Sequence, residues 1–127
     1  MPDVTDSKTK RQRRAEIASA ILQGIKSDDE EYARLAKKFP ALVHTCGLVQ
    51  ATAFVLAKEK NKETTNGQKT GILYLGHLSK VMGYADGTDL HTKSRNATLL
   101  EYQQMTQEAI DSATWLKRYA EAFLKEV

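Results

Sequence analysis

Cysteine, proline and long apolar runs are scarce in this sequence, and each scarcity excludes a class of protein. The 127 residues include a single cysteine, Cys46, which excludes an internal disulfide and a cysteine-rich zinc site. The first residues, Met-Pro-Asp-Val-Thr-Asp, contain no apolar run, so we expect no secretory signal. Together with the length, these features favour a single domain in the reducing cytoplasm.

Motifs that carry catalysis are missing as well. The histidines His44, His77 and His91 are scattered, and no HExxH or CxxC pattern for zinc is present. Residues 66–70 end like a phosphate-binding loop but lack its leading glycine and the preceding strand. No Gly-x-Ser-x-Gly elbow or spaced acid–base pair occurs. We therefore expect no enzymatic activity, cofactor, metal ion or small-molecule substrate, with a nuclease of unrecognised motif as a minor alternative.

The stretch 41–57 is unusual because it carries no formal charge in a charge-rich chain. Its apolar residues fall on all sides of a helical wheel, which predicts a helix buried on most of its surface. A membrane span needs about 20 apolar residues, and this run is shorter and contains polar residues such as His44. We interpret it as a central core helix that begins near Pro40, continues through Gly47 and buries His44 and Cys46. An interfacial helix is the alternative.

Apolar periodicity elsewhere predicts an all-α, single-domain bundle of about five helices without strands. A Ser27 capping box and Pro40 mark two of the boundaries. The predicted helices cover about 7–26, 27–39, 40–57, 68–82 and 96–127. Residues 1–7 are expected to be disordered, with polar loops near 61–67 and 83–95, the second adding one helical turn. The expected buried positions outside the central helix are Ala18, Ile21, Leu22, Ile25, Tyr32, Leu35, Ala36, Phe39, Ile72, Leu75, Leu78, Ser79, Met82, Leu99, Tyr102, Thr106, Ala109, Ala113, Leu116, Ala120, Phe123 and Val127.

Positive charge is segregated along the chain, whose formal net charge is +3. Five cations lie within 8–14, smaller groups lie at 37–38, 58–62 and 117–118, and four acids lie together at 28–31. Such segregation can direct a positive face at phosphate, although the same charges also suit an ordinary solvated helix surface. Aromatic residues do not alternate with the cations along the sequence, as a base-stacking platform would require. A DNA-binding regulator lacks a convincing recognition helix.

Two segments together resemble a known family. The first, at 39–58, reads Phe-Pro-Ala-Leu-Val-His-Thr-Cys-Gly-Leu-Val-Gln-Ala-Thr-Ala-Phe-Val-Leu-Ala-Lys. The second, at 108–124, reads Glu-Ala-Ile-Asp-Ser-Ala-Thr-Trp-Leu-Lys-Arg-Tyr-Ala-Glu-Ala-Phe-Leu. Their order and spacing resemble the small-subunit family of the type III-B CRISPR effector, the Cmr module. Cys46 departs from the polar residue expected before Gly47, which we interpret as a change in packing.

The resemblance implies a non-catalytic, all-α subunit of an antiviral ribonucleoprotein. Its implied partners are the backbone and large subunits, further copies of itself, the guide RNA and the target RNA, with no membrane. The matching positions expected to pack are Gly47, Leu48, Phe54, Trp115, Leu116 and Ala120. The RNA-contact candidates that match the two segments are Lys58, Lys117 and Arg118. Candidates added on charge alone are Lys10, Arg11, Arg13, Arg14, Lys37 and Lys38. The alternative function is a helical protein-interaction module without RNA binding.

Overall fold

The computed structural model describes residues 8–60 and 70–125, and within these ranges every regular element is an α-helix. The helices are α1 (Lys10–Gln23), α2 (Glu30–Cys46), α3 (Leu48–Lys60), α4 (Thr70–Met82), α5 (Leu90–Arg95) and α6 (Leu99–Phe123). The predicted all-α class is confirmed. The expectations for 1–7, for the loop at 61–67 and for Val127 lie outside the described residues.

Helix starts are fixed by short polar side chains that accept hydrogen bonds from backbone N–H groups left without a partner in the first turn. Thr98 and Glu101 form a reciprocal capping box at the start of α6. At α2, the carboxylate of Asp29 accepts from the Tyr32 N–H at 3.1 Å. The predicted cap at Ser27 is therefore wrong, because Asp29 lies directly before the first helical residue and takes that role.

The predicted central helix, from about Pro40 to residue 57, is wrong in two respects. The helix does not begin at Pro40, because α2 continues through it, and it does not continue through Gly47. α2 runs past Pro40 with Phe39 and Val43 buried on either side of it. Gly47 has φ 86° and ψ 162°, a region essentially restricted to glycine, and it ends α2. The Tyr102 hydroxyl accepts from the Val49 N–H at 3.1 Å and so satisfies a donor at the start of α3.

Because of this break, the uncharged stretch forms the end of α2 and a separate α3 that packs back against α2. Only one face of each is buried, which is why His44 and Cys46 are exposed and the expectation that they lie in the core is wrong. The buried residues of the stretch are Val43, Leu48, Ala51, Thr52 and Val55. No helix in the described part of the chain is long and apolar enough to cross a bilayer.

The core lies where α2, α4 and α6 meet, with α1 packed on α6 and α4. Tyr74 of α4 contacts Phe39 and Tyr32 of α2, with ring centroids 5.2 and 5.7 Å apart. The small residues in the middle of α6 let α1 and α2 approach closely; they are Ala109, Ser112, Ala113 and Ala120. The predicted stripe on α6 holds in this middle part.

At the ends of two helices the predicted buried faces are wrong. Leu99 and Phe123 of α6 are 76% and 40% exposed, and Ile72 of α4 is 51% exposed. All three lie near the first or last turn of a helix. Helical periodicity specifies on which face of a helix a residue lies, but not how far along that face the adjacent helices extend. The remaining predicted inner face of α4 is buried, namely Leu75, Leu78, Ser79 and Met82.

Candidate nucleic-acid interface

The cations selected from the sequence belong to three separate parts of the fold. Those of α1 are Lys10, Arg11, Arg13 and Arg14; those of α2 and α3 are Lys37, Lys38 and Lys58; those of α6 are Lys117 and Arg118. These cations also differ in whether a carboxylate already pairs with them. Those that have such a partner are Lys10, Arg14 and Arg118. A cation that must first leave a carboxylate gains less from a phosphate than one that has no such partner.

Arg14 is the most strongly paired of these cations. Its side chain is only 8% exposed, with Nη1 2.6 Å from a carboxylate oxygen of Asp111 and Nη2 3.1 Å from one of Glu108. Lys10 adds a longer contact to Glu108 at 3.6 Å. Arg14 thus joins α1 to α6 with little of its side chain exposed, and the expectation that it contacts RNA stays a prediction. Its partners are far away in the sequence, which is why charge patterning did not reveal them.

The cations of α2 and α3 line an open groove of about 410 Å³. Its walls come from α2, from α3 and from the first residues of α4, and no residue of α6 takes part. The basic residues of the lining are Arg34, Lys37, Lys38 and Lys58, and the apolar ones are Leu35, Leu42, Phe54 and Val55. This volume lies within the range of sites for small organic ligands, roughly 300–1,000 Å³.

Phe54 stands between two lysines in this groove. Its side chain is 41% exposed, although the sequence resemblance assigns it to packing. The ammonium groups of Lys38 and Lys58 lie 5.6 and 5.4 Å from the centre of its ring, within the range of a cation–π interaction. The fold therefore brings an aromatic ring and cations together in space, which their order along the chain does not show.

Sequence reasoning missed Phe54 as a site residue because the uncharged stretch was interpreted as one buried helix. A signal was available: Phe54 and Lys58 are four residues apart, so they share one helix face. The fold-back at Gly47 then brings Lys38 of α2 to the same ring. If a helix break is assumed at Gly47, the sequence predicts that Lys38 and Lys58 lie near Phe54.

The groove lysines lack carboxylate partners in the described ranges 8–60 and 70–125. No ion pair there involves Lys37, Lys38 or Lys58. Arg34 lies 3.5 Å from Glu30, an exposed pair one helical turn apart that contributes little. Among the described residues of the lining the carboxylate is Glu31, which accepts a hydrogen bond from the Thr70 hydroxyl at 3.1 Å. The described part of the lining therefore has more cations than carboxylates.

The same helices, α2 and α4, carry neutral titratable groups on their buried faces. The Tyr32 hydroxyl lies 2.7 Å from Nδ1 of His77. Burial, and secondarily the charge of Asp29, raises the pKa of Tyr32. Burial, and secondarily Lys80, lowers the pKa of His77. Both groups are thus neutral at pH 7.

The C-terminal half of α6 is a different kind of surface. Arg118 lies 3.9 Å from Glu121, and Lys117 is half-buried. Trp115, Tyr119 and Phe123 follow one another at successive turns of the same helix. Their rings are stacked at 6.1 and 5.6 Å. Leu116 and Ala120 are fully buried beneath them. This surface is more aromatic than the groove and its arginine is paired.

Within the part of the chain that the structure describes, no group of three or more His, Cys, Asp or Glu side chains lies close enough together to hold a metal ion. Cys46 is exposed and carries a free thiol. The groove offers ammonium groups, an aromatic ring and apolar walls, a set that suits binding of an anion with a flat apolar part.

Three comparisons with known proteins identify similar chains. A family model described as "CRISPR-associated protein (Cas_Cmr5)" matches residues 10–123. The Cmr5 subunit of the CRISPR Cmr system of Thermus thermophilus is 38% identical over 96 residues, which are 76% of this chain and 77% of that relative. The X-ray structure of a Cmr5 family protein from the same organism superposes with a TM-score of 0.78 at 31% identity, covering 94% of this chain and 100% of that one.

Proposed function

The chain belongs to the Cmr5 family of CRISPR-associated proteins, and from this premise we propose that it is a non-catalytic small subunit of a type III-B effector complex. In that role it binds RNA through lysines on its surface, beside guide and target strands held by other subunits. Its protein partners are the backbone and large subunits and further copies of itself. The relative from Thermus thermophilus is named as a subunit of the Cmr system, which supports the assembly part of the proposal.

The observation that carries the RNA-binding part is the groove between α2 and α3. Lys37, Lys38 and Lys58 converge there, and no carboxylate in the described residues pairs with them. Bringing like charges together costs free energy in the unbound protein, and that cost is relieved when phosphates arrive. We therefore assign the main phosphate contacts to these three lysines.

The other cations selected from the sequence, apart from Arg14, have a secondary role in this proposal. They are Lys10, Arg11, Arg13, Lys117 and Arg118. Two of them, Lys10 and Arg118, already have carboxylates nearby. Charge reversal at Lys117 and Arg118 is expected to weaken target-RNA binding by the assembled complex less than neutralisation of the groove does.

The test compares two triple variants of equal charge. In K37Q/K38Q/K58Q the groove loses its cations; in K26Q/K80Q/K125Q three exposed lysines outside the groove are lost instead. Each lysine that contacts a phosphate contributes about 0.7 to 0.9 to the slope of log K against log salt. We expect the groove variant to lose roughly two units of slope and the control to lose well under one. Equal losses would show that total charge, and not the groove, governs binding.

The aromatic stack on α6 favours a second candidate function, a protein-interaction module. Trp115 and Tyr119 are half-buried and Phe123 is 40% exposed, an uncommon concentration of partly exposed aromatic area on one helix. Such residues are enriched in the centres of protein interfaces. If this function dominates, Y119A/F123A will weaken assembly with the other subunits, whereas the groove variant will leave both assembly and RNA binding unchanged.

A further inference from the structure

We propose that the groove around Phe54 is a stacking site for one unpaired base, so that this protein prefers single-stranded RNA to a duplex of equal charge. The inference deepens the proposed function, since it assumes that the groove lysines meet RNA. It adds a second determinant of recognition, the ring of Phe54, which phosphate contacts do not require.

The exposure of Phe54 is the first argument. The neighbouring residues of α3 that face the core, Ala51, Thr52 and Val55, are buried, and Phe54 lies outside that face. A phenyl ring at this position therefore adds little to the core. Leu35 and Leu42 provide apolar surface in the same groove. An exposed ring with apolar surface around it fits the flat face of a nucleobase.

The two lysines beside the ring are the second argument. Their ammonium groups lie 5.6 and 5.4 Å from its centre, and each is carried by a flexible four-carbon stem. A base stacked on an aromatic side chain contributes more to affinity than an ammonium over an exposed ring does. A base can therefore displace Lys38 or Lys58 from the ring face. The displaced ammonium remains within reach of the phosphates on either side of that base.

The competing ligand is an RNA duplex, and the groove discriminates against it. Bases in a duplex are already stacked on both faces, so its outside presents phosphates, 2′-hydroxyls and base edges but no free base face. A single strand offers free base faces and phosphates together. Because every base has such a face, we expect little dependence on sequence.

The experiment uses the full-length protein and three RNAs with equal numbers of phosphates. They are a single strand of about 12 nucleotides with one 2-aminopurine, the same strand with abasic sites, and a duplex. The length is within the roughly 4–16 nucleotides that one OB fold covers. Variants F54L and F54Y are compared with the original protein. F54L keeps the apolar volume and removes the ring, whereas F54Y keeps the ring. Thermal unfolding of each variant confirms that it is folded.

We expect the original protein and F54Y to bind the single strand about tenfold more tightly than the abasic strand and the duplex, with quenching of the 2-aminopurine fluorescence. F54L should lose both effects and keep the salt dependence. If F54L retains the preference, or if all three RNAs bind equally to the original protein, the stacking site is wrong while the proposed RNA binding stands. If none of the RNAs binds, the proposed function fails, and the stacking site fails with it.

Discussion

The α1–α6 face and the α2–α3 face both carry several cations, but they differ in whether carboxylates pair with the cations described below. On the first, Arg14 is buried between the carboxylates of Asp111 and Glu108. On the second, Lys38 and Lys58 flank an exposed phenyl ring and have no carboxylate partner in the described part of the chain. Arg14 joins two helices, whereas the two lysines are available to an incoming anion.

The difference shows that a count of cations does not locate a polyanion site. A cation held by carboxylates within the fold is less available to an incoming anion, and removing it leaves partly buried carboxylates without that partner. A cation without such a partner costs the fold little when it is removed. Stability measurements and binding measurements should therefore separate the two faces.

The largest effect is expected for Gly47→Ala, which should disrupt the α2–α3 face through the backbone. Its φ of 86° and ψ of 162° suit glycine almost exclusively, and an added Cβ would lie 3.2 Å from the Tyr102 hydroxyl. We expect a loss of about 3 kcal/mol in the free energy of unfolding, measured by urea denaturation, together with weaker RNA binding. Gly76→Ala, where an added Cβ meets nothing within 4 Å, is the matched control. Equal losses for the two would contradict a special role for the break.

A smaller loss is expected for Arg14→Met, which breaks the α1–α6 ion pairs while keeping the apolar stem. Because Glu108 and Asp111 remain about one-third exposed, their isolation costs less than that of fully buried carboxylates, and we expect about 2 kcal/mol. Arg13→Met, at the exposed neighbouring position, should change the stability by less than about 0.5 kcal/mol. The salt dependence of RNA binding by the folded variant should not change. A steep reduction in that slope would place Arg14 among the phosphate contacts after all.

The smallest effect is expected from a change of pH. The titrating group is His77, which contacts Tyr32 where α4 packs on α2. The pKa of His77 is lowered by burial and by Lys80, so the unfolded chain binds its proton more readily than the folded one. Stability should therefore fall as the pH is lowered from about 6.5, the unperturbed value, towards the lower folded pKa, and should level off below it. His77→Gln should flatten this part of the curve. An unchanged slope would mean that other groups account for the acid sensitivity.

Much of the fold is predictable from the sequence, and the errors have a common origin. The apolar spacing in α6 correctly gives its buried middle, Ala109, Ala113 and Leu116, because several turns of one helix reinforce the same face. The stretch 41–57 shows that lack of charge does not imply burial on all sides of a helix. A single backbone conformation at Gly47, available only to glycine, divides it into two half-exposed segments.

The candidate site was less predictable, because it depends on pairs of residues far apart in the chain. The family resemblance selects Lys58 and charge alone selects Lys38, but placing the ring of Phe54 between them requires knowledge of the fold-back at Gly47. The pairing of Arg14 with Asp111 across 97 positions is of the same kind. Charge is a property of single residues, whereas its availability depends on the partners that the fold supplies.

The most direct test of this account is the salt dependence of RNA binding for two double variants of equal charge. K38Q/K58Q removes groove cations without carboxylate partners, and K10Q/R118Q removes cations that lie 3.6 and 3.9 Å from Glu108 and Glu121. We predict that the first variant lowers the slope of log K against log salt by about 1.5 and the second by less than about 0.5. Equal reductions, or a larger one for K10Q/R118Q, would contradict the claim that unpaired lysines in the groove are where this protein meets RNA.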